Sequence, residues 1–217
     1  MYLTVGTRPD IAFSLGVVSR FLENPDKIHW NAVKRIFKYL KGTFDYGLYF
    51  KANTELSLVA FSDADFAGDT GTRKSTSGFV VKLGECTISW CLQRQRAVAL
   101  STTESEFVAA AQTIKHLIWL DRLFIEILKH RKGEIKVFMD NQSAIRLLKN
   151  PEFHNKSKHI DIKYCFARDK YEEGFFELIY TPTKEQIADI LTKPLAREQF
   201  NVLRKKLNVK SKKEFIF

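Results

Sequence analysis

The hydrophobic period of this chain changes once, and that change limits the folds open to it. Over residues 8–41 the apolar positions recur at spacings of three and four: Ile11, Leu15, Val18 and Leu22, then Trp30, Val33, Phe37 and Leu40. That spacing predicts two helices, the first ending before Asn24-Pro25 and the second running from Asp26 to the stop at Gly42. From residue 47 the pattern turns to short β-rich runs over 47–50, 56–63, 78–83 and 87–91, parted by Gly and by clusters of Asp, Thr and Ser. A long helix is predicted over 102–130, with Phe107, Ala110, Ile114, Leu117 and Leu120 toward a core. After it come a strand at 134–139, helices at 141–148 and 156–173, a strand at 174–180 and a last helix at 183–191. The order from residue 56, β-β-β-α-β-α-α-β-α, predicts an α/β domain with a mixed sheet covered by helices.

With 217 residues, 45% of them apolar and 28% charged, the chain has the make-up of a globular domain with an appendage and not of a disordered chain. No apolar run approaches the roughly 18 to 20 residues that span a bilayer, and Arg8, Asp10, Arg20 and Glu23 interrupt the start, so neither a membrane nor a secreted protein is expected. Cys86, Cys91 and Cys165 match neither a zinc site nor a disulfide framework, which points to a reducing compartment. The net charge of +10 is uneven: +3 over residues 1–50, +1 over 51–191 and +6 over 192–217. A basic excess suits a polyanion, because each neutralised phosphate releases counterions. The Lys34, Arg35, Lys38 and Lys41 face and the tail from Arg204 to Lys213 are equally readable as solvated surface.

The balanced middle carries acidic residues where a site would assemble. Asp63 ends the first predicted strand of the domain and Asp140 the fourth, each behind apolar residues where an unpaired carboxylate is costly. Either one also suits the cap of the next element. The long helix opens Ser101-Thr-Thr-Glu104-Ser-Glu106, and with Ser101 as N-cap Glu104 completes a capping box. Glu106 lies about 200° around the helix from Glu104 and has no cap to satisfy. Asp189 interrupts the apolar stretch of the last helix. Four carboxylates on separate elements suit a pair of divalent metals, held roughly 3.5 to 4 Å apart, that hydrolyse a phosphodiester. Magnesium prefers such oxygen ligands and needs no Cys or His cluster.

These residues sit in strings that resemble a known family. Phe61-Ser-Asp-Ala-Asp-Phe-Ala-Gly, Lys74-Ser-Thr-Ser-Gly-Phe, Ala99-Leu-Ser-Thr-Thr-Glu-Ser-Glu-Phe, Asp140-Asn-Gln-Ser-Ala, Asn155-Lys-Ser-Lys-His-Ile-Asp and Ala188-Asp-Ile-Leu-Thr-Lys-Pro-Leu resemble the C-terminal part of copia-type retrotransposon Pol polyproteins. Thr7-Arg-Pro-Asp-Ile-Ala-Phe, His29-Trp and Arg35-Ile-Phe-Lys-Tyr-Leu-Lys-Gly resemble the end of the same elements' reverse transcriptase. The resemblance runs from about residue 2 to 207 and implies a ribonuclease H-like fold, a five-stranded mixed sheet flanked by helices behind a helical thumb or connection remnant. It implies three parts: 1–50 from the reverse transcriptase, 51–194 as the ribonuclease H domain and 195–217 as a basic C-terminal helix or tail.

By the same resemblance Asp63, Glu106, Asp140 and Asp189 are the catalytic and metal-binding residues. They would hold two Mg²⁺, or Mn²⁺ in its place, and cut the RNA strand of an RNA/DNA hybrid during reverse transcription. Glu106 is taken over Glu104 because the family's glutamate precedes an apolar residue and a small pair, as Glu106-Phe-Val-Ala-Ala does. Asn141, Gln142, Ser143, Lys156, Lys158 and His159 are the expected substrate contacts. The expected partners are the hybrid and the polymerase domain of the same polyprotein, in the cytoplasm within the element's virus-like particles. The loop Tyr180-Thr-Pro-Thr-Lys-Glu-Gln lacks the histidine many cellular ribonucleases H carry before the last helix, which bears on turnover. No Tyr-x-Asp-Asp hairpin is present, so DNA synthesis is not expected. The alternative is a non-catalytic nucleic-acid-binding fragment, a decayed or domesticated copy.

Overall fold

The computed structural model describes residues 1–52, 56–129, 133–150 and 158–215, with the side chains of 158–164 and 215 left aside. The chain begins with α1 (Tyr2–Gly6), a 3₁₀ turn at Pro9–Ile11, α2 (Ala12–Ser19) and α3 (Lys27–Gly42), followed by β1 (Tyr46–Leu48). The strands β2 (Leu58–Ala64), β3 (Thr76–Leu83) and β4 (Cys86–Arg94) come next, then the 27-residue helix α4 (Thr102–Leu128). Beyond it lie β5 (Ile135–Met139), α5 (Gln142–Lys149), α6 (Lys158–Glu172) and β6 (Glu177–Tyr180). The chain closes with a 3₁₀ turn at Thr183–Glu185, α7 (Asp189–Thr192), α8 (Arg197–Lys206), β7 (Val209–Ser211) and a final 3₁₀ turn.

Five strands form one mixed sheet in the order β4-β3-β2-β5-β6. β3 is antiparallel to both neighbours, whereas β2 pairs parallel with β5 and β5 parallel with β6. Both faces are covered, which is why the central strands read as nearly continuous apolar runs. On one face Leu58, Ala60, Phe79, Val81 and Val137 pack against Phe107, Ile114 and Leu117 of α4 and against Leu148 of α5. On the other, Val80 packs with Ile187, Ile190 and Leu191 around α7 and with Leu203, Leu207 and Val209 near the C-terminus.

The two ends of the chain meet on this second face. β1 pairs antiparallel with β7, and Ser211 Oγ donates to the Asp45 carboxylate. Trp90 Nε1 on β4 donates to the Thr4 carbonyl at 2.7 Å, and Arg20 reaches Thr76 Oγ1 on β3 at 3.1 Å. Buried Arg8 donates to Asp10 and to Thr43, and Tyr39 donates to Asp10 at 2.6 Å, so α3 is tied down at its C-terminal end.

Three expected elements differ in form. The helix starting near residue 8 ends at Ser19, and Leu22 is left exposed. The apolar stripe of α3 is not a core face, since Trp30 and Phe37 are both more than half exposed and no residue of that helix is buried. The helix expected over 183–191 is broken by Gln186, whose extended backbone (φ −66°, ψ 104°) separates a 3₁₀ turn from α7. The cause is its side chain: fully buried, it donates to the Ser62 carbonyl at 3.0 Å and accepts from the Ala188 N–H at 3.2 Å. Together the tertiary bond to Ser62 and the local one from Ala188 outweigh one helical turn.

Candidate active site

Asp63 sits next to the end of the central strand β2, fully buried, opposite Gly78 of β3. Its carboxylate accepts from Thr192 Oγ1 and from Lys193 Nζ, the latter at 2.9 Å. Glu106 lies in the second turn of α4. Ser101 caps that helix by accepting from the Glu104 N–H at 3.1 Å, and Glu104 reaches back to the Leu100 N–H at 2.9 Å, one residue beyond the usual capping-box partner. Capping therefore occupies Glu104 and leaves Glu106 to face inward. Buried Gln95 fixes that end of the helix to the sheet by donating to Ser77 Oγ and to the Ser105 carbonyl, both at 2.9 Å.

Asp140 follows β5 directly, and it does not cap α5. Asn141 does so, accepting from the Ala144 N–H at 3.0 Å, which leaves the Asp140 carboxylate to accept from Thr183 Oγ1 at 2.8 Å. Asp189 opens α7, buried, 2.9 Å from Lys193 Nζ one turn later.

Asp63, Glu106 and Asp140 each offer one oxygen to a cluster whose atoms all lie within 4.8 Å of one another. Asp189 is outside that cluster and joins it through Lys193, whose ammonium bridges Asp63 and Asp189. The electrostatics follow from crowding. Burial, then the charges of Asp63 and Asp140, push the Glu106 carboxyl well above the ordinary range. Asp189 is pushed up to about 7 by burial first and by Asp63 second, against the lowering effect of Lys193. Burial alone would lower Lys193, but the charges of Asp63 and Asp189 hold it above its ordinary value. Glu106 Oε2 is buried and has no hydrogen-bond partner among the described residues. A buried carboxylate oxygen without a donor, facing two more carboxylates, fits a cation: hard oxygen donors on three different elements are what Mg²⁺ or Mn²⁺ takes.

Of the expected substrate contacts, Gln142 and Ser143 are exposed beside Asp140, while Asn141 uses its side-chain oxygen in the α5 cap. Lys156 lies outside the described residues, and Lys158 and His159 stand at the start of α6, where only the backbone is described. Sequence reasoning did not single out Lys193, Thr192, Thr183 or Gly78. The signal for two of them was present: Thr192 and Lys193 follow Asp189 by three and four residues, which places them on its side of a helix.

No family model matches the chain. It is 44% identical over 211 residues to the retrovirus-related Pol polyprotein from transposon TNT 1-94 of Nicotiana tabacum, covering 97% of this chain and 16% of that one. It is also 39% identical over 203 residues to the retrovirus-related Pol polyprotein from transposon RE2 of Arabidopsis thaliana, covering 94% of this chain and 14% of that one. The chain belongs to the copia-type retrovirus-related Pol polyproteins. It spans about one seventh of the length of these relatives. Among solved structures, ribonuclease H1 of the halophilic archaeon Halobacterium salinarum is similar at 16% identity and a TM-score of 0.45, covering 63% of this chain and 94% of that one. The fold of this Pol segment is α/β: a five-stranded mixed sheet with its second strand alone antiparallel, covered by helices on both faces. Among the described residues no helix is long and apolar enough to cross a membrane.

Proposed function

We propose that this Pol segment is a divalent-metal-dependent ribonuclease H that hydrolyses the RNA strand of RNA/DNA hybrids made by the polymerase of the same polyprotein. The observation that carries the reading is the convergence of Asp63, Glu106 and Asp140, from β2, α4 and the end of β5, on one point where the first two are buried, the third is half-buried and one glutamate oxygen has no partner among the described residues. A structural role does not account for three carboxylates held together at that cost in desolvation and repulsion.

Asp63, Glu106 and Asp140 would hold the metal, with Asp189 contributing on the Asp63 side. When bound there, divalent cations supply Lewis-acid activation of water and neutralise charge on the leaving 3′-oxygen. The protein's own groups set the geometry. Thr192 and Lys193 orient Asp63, Thr183 orients Asp140, and the Gln95 bonds to Ser77 and Ser105 hold the start of α4, and with it Glu106, against the sheet. Gln142 and Ser143, exposed beside Asp140, would contact the 2′-hydroxyls that distinguish RNA from DNA. The basic α3 face and the C-terminal lysines would follow the phosphate backbone, in the setting of the element's cytoplasmic particles.

Cleavage of a labelled RNA strand in an RNA/DNA hybrid, with Mg²⁺ or Mn²⁺, tests this against the Asp140→Asn variant. Cleavage confined to the hybrid, dependent on the metal and lost in the variant is the expected result. Hybrid binding without cleavage under any metal would instead support a non-catalytic binding fragment.

A further inference from the structure

Lys193 sets this site apart from a plain cluster of acids. Its Nζ is 2.9 Å from Asp63 Oδ1 and 2.9 Å from Asp189 Oδ1, and both carboxylates are almost wholly buried. The ammonium thus stands between two carboxylate oxygens from different elements, the position a divalent ion takes when two acids share it. An ammonium and a metal ion cannot occupy the same gap, because each needs direct contact with the same two oxygens. The Asp63 carboxylate is also met by Thr192 Oγ1, so both its oxygens have donors, while Glu106 Oε2 on the other side has none among the described residues. The two halves of the site are therefore unequal. The Asp63–Asp189 half carries its own cation, and the Asp63–Glu106–Asp140 half has none among the described residues.

The placement is built in. Asp189 opens α7 and Lys193, four residues later, is the extended residue that directly follows the helix, where Pro194 prevents it from continuing. α7 is pressed on β3 at Gly78, where there is no side chain to hold it off. The lysine side chain is one-third exposed, so its flexible stem has a way out to solvent.

Resting on the metal-site reading above, we propose that Lys193 is a tethered cation that fills the Asp63–Asp189 half of the site. The protein without nucleic acid then takes one divalent ion, at Asp63, Glu106 and Asp140, and a second enters only when Lys193 swings out.

The test is Mn²⁺ binding to the full chain without nucleic acid, counted by electron paramagnetic resonance of the free ion, in the wild type, Lys193→Met, Lys193→Arg and the double variant Asp189→Asn/Lys193→Met. The expected counts are one ion for wild type and Lys193→Arg, two for Lys193→Met, and one again for the double variant. The second ion of Lys193→Met should bind about 10- to 100-fold more tightly than any second ion of wild type, the range for changes beside a metal ligand. Circular dichroism confirms that each variant is folded, and Lys193→Gln replaces Lys193→Met if the latter is not. Two ions in wild type with the affinities of Lys193→Met would overturn the proposal, and so would one ion in both. A wild type that binds no Mn²⁺ would overturn the metal-site reading itself and this inference with it.

Discussion

Gly78 is the position where a single methyl group should separate the sheet from the helix that completes the site. A Cβ there would lie 2.6 Å from Thr192 Cγ2, 3.1 Å from Leu191 Cβ and 3.5 Å from the Ala188 carbonyl oxygen. The first contact is impossible without movement, and what must move is the residue whose hydroxyl donates to Asp63. Overpacking of this kind costs about 1 to 3 kcal/mol, against about 0.5 to 1 kcal/mol regained by replacing a strand glycine with alanine. Gly78→Ala should therefore lose on the order of 1 to 2 kcal/mol, a fall in Tm of roughly 2 to 8 °C for a chain of this size. Gly47, in β1, is the control, because a Cβ there meets nothing within 4 Å. Gly47→Ala should match or slightly exceed wild type in thermal unfolding. The reasoning is refuted if Gly78→Ala unfolds at the wild-type temperature, for then α7 does not need the glycine to approach β3.

Three further outcomes follow from the same contacts. Glu106→Gln should abolish hybrid cleavage yet cost less than about 1 kcal/mol of metal-free stability in urea titration, because the amide is nearly isosteric and removes a buried carboxyl whose charged form is opposed by burial and by the charges of Asp63 and Asp140; a loss of several kcal/mol would contradict that account. Asp189 has a folded-state value near 7, above its ordinary 3.8, so between those pH values the folded protein holds a proton the unfolded chain has released. Metal-free stability should thus fall as pH rises from 4 to 7, by on the order of 2 to 4 kcal/mol at roughly 1.4 kcal/mol per pH unit, and Mn²⁺ at pH 8 should restore most of it; flat stability over that range would disprove the sign. Arg8→Ala strips the buried partner from Asp10 and two bonds from Thr43, which should cost about 3 to 5 kcal/mol. That loss should appear in a single unfolding transition, since the N-terminal helices bond to β3 and β4; an unchanged main transition would mean that the two parts unfold separately.

Much of the architecture was legible because it depends on local periodicity. The strand runs at 56–63, 78–83, 87–91 and 134–139 and the long helix at 102–130 each lie within a few residues of β2, β3, β4, β5 and α4. Their apolar patterns match the two faces they bury. The N-cap at Ser101 was equally local, and it explains why Glu104 and Glu106, two residues apart, differ in their work. α3 shows the limit of pattern. Its stripe of Trp30, Val33, Phe37 and Leu40 is amphipathic by spacing, yet spacing says nothing about what lies opposite, and Trp30 and Phe37 are exposed.

Which residues are acidic, which elements carry them and that those elements alternate as strands and helices can all be read from the order of residues alone. That Asp63, Glu106 and Asp140 meet within 4.8 Å, that Asp189 stands one cation away, and that Lys193 is that cation became fixed when the chain packed. Packing also decided that Gln186 breaks the last helix, because the bond its amide donates reaches 124 residues back along the chain to Ser62. The physical reason is the range of the forces. Helix and strand periods and caps act over three or four neighbours, whereas a carboxylate's partners, its burial and hence its charge are set by whatever the folded chain brings beside it.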